Sequence, residues 1–299
     1  MNKTNSTKSS IYGIYVLYGV LLVGVLLYYM FPSDAVTDYL QASVEKVNPR
    51  LHLSVGKVRP SYTLGLNFMS ARLFHEARPD MDLFSAQSVL VRPEPWSFLQ
   101  GKKKYRLEAH AYDGEVKGSI HFEKKVIGGP FTTAITLKDI RIDDIGSLSA
   151  LIGRSVRGSL NGSINYSGEQ NLLIAGTGGA DLKISDGQVE LLQPILTLDS
   201  IQFDELSVRM TLRNRQIDLS HGELKGREIQ GTLSGTVGLN KDILQSSLNI
   251  RGTLEPFAGL FKGDKGTADT VKYFAQRLKM GKASFIIRGT LANPKITFI

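Results

Sequence analysis

The stretch Gly176-Thr177-Gly178-Gly179 is the part of this sequence that comes closest to a nucleotide-binding loop. It follows the apolar residues 172–174, as the phosphate-binding loop of a dinucleotide site follows a strand. The third glycine of that fingerprint would fall on position 181, which is an aspartate, and no helical pattern follows. The stretch therefore predicts a turn that holds no cofactor.

Other residues that could carry chemistry are also poorly grouped. The adjacent carboxylates of Asp143 and Asp144 would suit acid–base catalysis, but their place before an apolar helical pattern favours a helix N-terminus. The histidines show no pair at metal-ligand spacing on one helix. They are His52, His75, His110, His121 and His221. The chain has no Gly-x-Ser-x-Gly elbow and no cysteine. We expect no metal and no cofactor. We also expect no enzyme activity, because a carbohydrate-active enzyme would require acidic pairs facing a cleft and the sequence shows none.

One basic cluster stands out, formed by Lys102, Lys103, Lys104 and Arg106. It predicts either a solvated turn or edge strand, or a contact with the anionic head groups of lipids. The formal net charge of the whole chain is +8, spread thinly along its length. A charge this diffuse does not indicate nucleic-acid binding.

The N-terminal region predicts a membrane anchor. Residues 11–31 are an uncharged run that would span roughly 31 Å as a helix, enough to cross a bilayer. Lys3 and Lys8 precede the run, so the positive-inside rule predicts a cytoplasmic tail at 1–10 and an exported domain at 32–299. The alternative is a cleaved signal peptide with its cleavage site at Ser33-Asp34-Ala35, although the apolar run is longer than is usual for one.

Most of the exported domain predicts β-strands. A helix is expected first, capped by Ser33 or Asp34 and ending before Asn48-Pro49. From Leu51 onward apolar residues alternate with polar ones. The strands that this alternation predicts recur at a spacing typical of an all-β protein. Turns are expected at Asp113-Gly114, Asp186-Gly187 and His221-Gly222. Two further helices are expected, at 143–153 and 267–281.

A short repeated unit runs through these strands. Its copies are Lys117-Gly118-Ser119-Ile120, Arg157-Gly158-Ser159-Leu160, Gln230-Gly231-Thr232-Leu233, Arg251-Gly252-Thr253-Leu254 and Arg288-Gly289-Thr290-Leu291. In each copy the alternation places the glycine on the apolar face of its strand, where it marks a bend or a close approach. We therefore expect these glycines to curve an antiparallel sheet toward its apolar side. They are Gly118, Gly158, Gly231, Gly252 and Gly289.

The function of such a sheet depends on what covers its apolar face. One alternative is a closed core, in which the sheet folds over itself as a sandwich or flattened barrel. The other is a groove, left open for a phospholipid, another acyl-chain ligand or an apolar segment of a partner. The candidate groove residues are Val116, Ile120, Leu160, Ile164, Leu233, Val237, Ile250, Leu254, Ile287 and Leu291.

The order of these features resembles a known group of proteins. Segments such as LKISDGQVEL, QIDLSHGELKGREIQGTLSGTVGL and the final RGTLANPKITF are similar to the repeated strands of AsmA-like periplasmic proteins. Within that group, the single anchor, the length and the segment PEPWSFLQGKKKYRLEAHAYDGEVKGSI most resemble the type II secretion system protein N family. The similarity covers nearly the whole chain, but it consists of loose strand patterns.

The resemblance implies a single-pass protein of the inner membrane of a Gram-negative bacterium, with its bulk in the periplasm. Its partners would be other components of the type II secretion system, and it would act without catalysis. AsmA-like relatives are linked to lipid homeostasis. The alternative that the resemblance leaves open is therefore lipid binding or transfer between the inner and outer membranes.

Overall fold

The computed structural model describes residues 5–47, 49–61, 65–76, 78–123, 129–146, 148–149, 153–195, 198–226, 229–256 and 282–299. The helix predicted at 267–281 lies outside these residues, and so does part of the helix predicted at 143–153.

The described residues form one antiparallel sheet of fourteen strands, which confirms the prediction of a mainly β protein. The strands follow one another in the sheet in the same order as in the sequence, so every strand pairs with its neighbours along the chain. Their bounds are Leu51–Ser61 (β1), Gly65–His75 (β2), Arg78–Pro93 (β3), Lys103–Ala111 (β4), Gly114–Phe122 (β5), Pro130–Arg141 (β6), Val156–Glu169 (β7), Thr177–Ile195 (β8), Leu198–Arg213 (β9), Gln216–Lys225 (β10), Ile229–Gly238 (β11), Ser247–Pro256 (β12), Ala283–Thr290 (β13) and Asn293–Phe298 (β14).

The helices of the described residues lie before the sheet or in its connections. They are Asn5–Tyr29 (α1), Ser33–Val47 (α2) and Pro95–Leu99 (α3), with short 3-10 helices at Ile142–Asp144 (η1), Gln170–Ala175 (η2) and Ile243–Gln245 (η3). Residues 146 and 148–149 are also helical. The prediction of a helix between Ser33 and Asn48 is confirmed by α2. Within the described part of the chain, no helix combines the length and the hydropathy of a membrane span.

Helix α2 covers the first edge of the sheet. The hydroxyl of Ser33, at the start of α2, accepts a hydrogen bond of 3.2 Å from the backbone N–H of Val58 in β1. Val58 is only 2% exposed. An uncovered edge strand is a template for unwanted strand pairing. The contact therefore protects β1 and fixes α2 beside it.

Two of the three turns predicted at Asp-Gly and His-Gly pairs are wrong. The β4–β5 hairpin turns at Tyr112 and Asp113, both with positive φ, one residue before the predicted position. Asp186-Gly187 and His221-Gly222 instead lie inside β8 and β10, where the pairing register shifts. Asp186 has a φ of 51°, as in the bulged position of a strand. These pairs therefore mark β-bulges within strands. The turn that joins β9 to β10 lies at Asn214 and Arg215.

The sheet is open, with β1 and β14 at its two edges. The closed alternative, a sandwich or flattened barrel, is therefore wrong for the described residues, because they contain no second layer of strands. Few hydrophobic side chains of the described residues are buried, and these are spread along the sheet and η1. They are Val58, Phe68, Ala71, Ala86, Ala109, Ala111, Ile140, Ile142, Val156, Phe203, Ile229, Leu248 and Phe285.

Candidate apolar ligand surface

One row of apolar residues crosses the whole sheet. Residues that pair directly across antiparallel strands lie on the same face, so the register traces rows perpendicular to the strands. The first apolar row takes one residue from each strand, β1 to β14. Its members are Pro60, Leu66, Val91, Leu107, Gly118, Ile135, Ile164, Ala180, Met210, Leu219, Gly235, Ile250, Ile287 and Ile296.

A second apolar row runs beside the first, two residues along each strand wherever the register is regular. Its members are Val58, Phe68, Val89, Ala109, Val116, Leu137, Gly162, Leu182, Val208, Gly222, Leu233, Gly252, Phe285 and Phe298. Neither row contains a polar side chain. With strands about 4.8 Å apart, each row follows the sheet for about 60 Å. We call the side that carries both rows the apolar face, and the other side the polar face.

Nine of the ten candidate groove residues lie on the apolar face. Ile164, Ile250 and Ile287 belong to the first row, and Val116 and Leu233 to the second. The other four lie on the same face in neighbouring positions; they are Ile120, Leu160, Val237 and Leu254. The remaining candidate was misplaced, because Leu291 lies in the β13–β14 turn and its N–H donates to the carbonyl oxygen of Ser246. All ten side chains are half-buried.

The repeated glycines lie where atoms of neighbouring strands come close to the backbone, or where the backbone angles favour glycine. A Cβ on Gly231 would lie 2.5 Å from the carbonyl oxygen of Thr253, and a Cβ on Gly118 would lie 3.2 Å from that of Ala134. Gly252 leaves room for the ring of Phe285. The other two have backbone angles that favour glycine, with φ of 144° at Gly158 and 104° at Gly289. The glycines thus allow close packing between strands, while their effect on sheet curvature stays a prediction.

The first apolar row opens into a cavity at the end of α1. The cavity has a volume of about 1270 Å³ and lies between residues 24–32 and the adjoining ends of β1–β4. Its lining has no charged side chain and includes Pro60, Leu66 and Val91, the first three members of the first row. Pockets for drug-sized ligands usually measure about 300–1,000 Å³. The cavity therefore has room for a larger apolar ligand.

An aromatic ladder borders the apolar face at the same end of the strands. It runs from Phe98 in α3 through Tyr105, Phe122 and Phe131 to Tyr166 in β7. The distances between successive ring centroids are 5.8, 6.1, 6.1 and 5.5 Å. Such pairs add stability beyond the area that they bury. Sequence analysis missed the ladder because its members come from four strands and a helix.

The basic cluster is divided between the two faces. Lys104 and Arg106 lie on the polar face and pair with Glu94, at 3.3 and 2.7 Å. Burial pushes the pKa of Glu94 upward, but the hydrogen bonds from these two cations outweigh it and the pKa is lowered. Lys103 pairs in register with Phe122 on the apolar face, and Lys102 is exposed just before β4. A head-group contact through this cluster stays a prediction.

The residues with catalytic potential form structural ion pairs instead. Arg141 contacts Asp113 at 2.7 Å, Asp143 at 3.1 Å and Asp144 at 3.5 Å. The hydrogen bond from Arg141 lowers the pKa of Asp143, which does not suit a general acid. Asp143 and Asp144 lie in η1, directly before the helical residues 146 and 148–149, as predicted for a helix N-terminus. The turn predicted at Gly176–Gly179 is wrong, because Thr177, Gly178 and Gly179 are the first residues of β8. No cluster of metal-ligating side chains occurs in the described residues.

Comparison of the chain with protein-family models, with curated proteins and with solved structures returns no match.

Proposed function

We propose that this protein is a non-enzymatic, membrane-anchored lipid-binding protein that holds acyl chains along the apolar face of its sheet. The observation that carries the proposal is the pair of unbroken apolar rows, which cross all fourteen strands of an open sheet. Covering apolar surface stabilises a complex by about 25 cal/mol per Å². A half-buried face of this length therefore favours a long apolar ligand.

The chemistry of the face favours an acyl chain over a peptide. Backbone N–H and C=O groups within the sheet bond to neighbouring strands, so few of them can reach a ligand above the face. The two rows also offer no polar side chain. A peptide laid on this face would bury unpaired amide groups, at a cost of several kcal/mol each, whereas an acyl chain has none.

The anchor is part of the proposal. It is supported by the uncharged run at 11–31 and by the exposure of apolar side chains on α1, such as Ile14, Leu17 and Leu26. The cavity beside residues 24–32 would then lie where the chain leaves the bilayer, so a lipid could enter the first apolar row from the membrane. The setting is the inner membrane of a Gram-negative bacterium, with the sheet in the periplasm.

The test is photo-crosslinking of lipid by the full chain, purified in detergent. A photoreactive amino acid replaces Ile164, on the apolar face, or its neighbour Asn165, on the polar face. We expect mass spectrometry to find lipid attached at position 164 and not at position 165. The matched variants Ile164→Asp and Asn165→Asp should differ in the same sense, with co-purified lipid lost only from the first. Equal crosslinking at both positions, or none at either, would overturn the proposal.

The second candidate function is that of a non-catalytic component of type II secretion. The feature that favours it is the repeated Gly-Ser/Thr-Leu unit, which falls in β7, β11 and β12 and at the end of β13, as expected for the family that the sequence resembles. Deletion of the gene should then stop the secretion of folded enzymes across the outer membrane. Secretion at wild-type levels in the deletion strain would count against this role and leave lipid binding untouched.

A further inference from the structure

The short helix α3 has an unusual distribution of side chains. Phe98 is 41% exposed, and its ring lies 5.8 Å from that of Tyr105. Trp96 and Leu99 lie three residues apart, on one side of the helix, and are 77% and 79% exposed. Large apolar side chains this exposed indicate contact with an apolar partner.

The place of α3 in the fold suggests which partner it meets. Pro95 and Phe98 line the same cavity as Met30 and Pro32, where α1 ends and α2 is about to begin. If α1 is a membrane anchor, this point lies at the surface of the bilayer. Tryptophan is enriched at that level of the membrane, because its ring is largely apolar and its N–H is polar.

Charge also favours a membrane surface beside α3. Lys102 is exposed directly after the helix. Glu94, directly before α3, already pairs with Lys104 and Arg106. Basic residues close to a membrane are attracted to anionic lipids by about 1 kcal/mol each.

We propose that α3 is a second membrane contact, which inserts Trp96 and Leu99 among the head groups of an anionic bilayer beside α1. The contact fixes the cavity mouth at the membrane surface. This inference rests on the proposed anchoring through α1, and not on the apolar rows holding a lipid.

The experiment uses Trp96, the only tryptophan of the chain, as a reporter of depth. The full chain is placed in nanodiscs that contain phosphatidylglycerol or only phosphatidylcholine, with and without brominated acyl chains. We expect brominated lipid to quench Trp96 and the emission to shift to the blue, more strongly with phosphatidylglycerol. Lys102→Gln should reduce that difference between the two lipids.

Two variants supply the comparison, one beyond the C-terminal end of β3 and one near its other end. Leu99→Asp, beyond the end of β3, should abolish the quenching. Leu83→Asp changes a residue that is 40% exposed near the other end of β3, about 30 Å away, and should leave it unchanged. Trp96 emission that is insensitive to brominated lipid in wild-type protein would overturn the inference.

The same samples separate this inference from the proposed function. Retention of the chain in the nanodiscs measures anchoring, and crosslinking at position 164 measures lipid on the apolar face. An anchored, lipid-loaded chain whose Trp96 stays in water would refute the contact through α3 alone. A chain that leaves the nanodiscs would refute the anchor.

Discussion

The hydroxyl of Tyr166 donates a hydrogen bond of 2.6 Å to the carbonyl oxygen of Leu173. The bond ties η2 to the end of β7. The ring fits there because Gly168 and Gly176 have no side chains, since a Cβ on either would collide with the phenol oxygen. One tyrosine thus completes the aromatic ladder and fixes the connection to β8.

We expect Tyr166→Phe to lower the free energy of unfolding by about 1 kcal/mol, the usual net contribution of one hydrogen bond. Urea denaturation of the full chain in detergent measures the change. Tyr105→Phe is the control, because the hydroxyl of Tyr105 forms no hydrogen bond among the described residues. An equal loss of stability in both variants would show that the Tyr166 hydroxyl has no special role.

Gly162 in the second apolar row should not tolerate a side chain. Its φ is 158°, and a Cβ would collide with the carbonyl oxygen of Asp181. We expect Gly162→Ala to lower the free energy of unfolding by about 1–3 kcal/mol. The control is Gly179→Ala in the paired strand, where the nearest atom would lie 3.4 Å from the new Cβ and the change should stay within about 0.5 kcal/mol. Similar urea midpoints for the two variants would contradict the steric argument.

Glu94 should limit how strongly the basic cluster attracts anionic lipid. Glu94→Gln removes the negative charge that pairs with Lys104 and Arg106. We expect the purified chain to retain about fivefold more phosphatidylglycerol relative to phosphatidylcholine, since each basic residue is worth about 1 kcal/mol at a membrane surface. Asp82→Asn is the matched control, because it frees Arg72 near the opposite end of the strands. Native mass spectrometry of bound lipid should show no gain in that variant.

Acid should weaken the sheet through ion pairs on its polar face. Hydrogen bonds from Lys117, Lys183 and Lys282 lower the pKa values of Glu115, Glu205 and Glu255 respectively. A carboxyl group whose pKa is lower in the folded state stabilises the fold above its unfolded pKa, about 4.3 for Glu. That contribution is lost as the pH falls through the folded pKa. We therefore expect the melting temperature to drop below about pH 4.3.

The variant Glu205→Gln tests the acid effect at one site. It should lower stability at pH 7 and make the drop in acid less steep. Glu190→Gln changes the same group elsewhere on the sheet, where it has no ion pair among the described residues, and should leave both unchanged. An identical pH profile for wild-type protein and Glu205→Gln would contradict the role of the Lys183–Glu205 pair.

Local patterns in the sequence predicted the elements better than their ends. The alternation of apolar and polar residues placed nine of the ten candidate residues on one face, and the candidate cap Ser33 gave the start of α2. The turns predicted at Asp186-Gly187 and His221-Gly222 are wrong because such glycine-containing pairs occur in β-bulges as well as in turns. A short pattern does not show whether the chain reverses or continues.

The cavity and the open sheet could not be predicted in the same way. The cavity joins residues 24–32 to Tyr105, far away in sequence, through the register of β1–β4. The pairing of Glu94 with Lys104 and Arg106 likewise depends on how α3 returns to β4. Period-two alternation describes one face of each strand, and it is the same whether a second layer covers that face or not.

The sequential order of the strands has a consequence for biogenesis and for evolution. Each hairpin can form as soon as its two strands have been synthesised, because no strand waits for a distant part of the chain. Gaining or losing one hairpin would change the length of the apolar face by about 10 Å and leave the other hairpins intact.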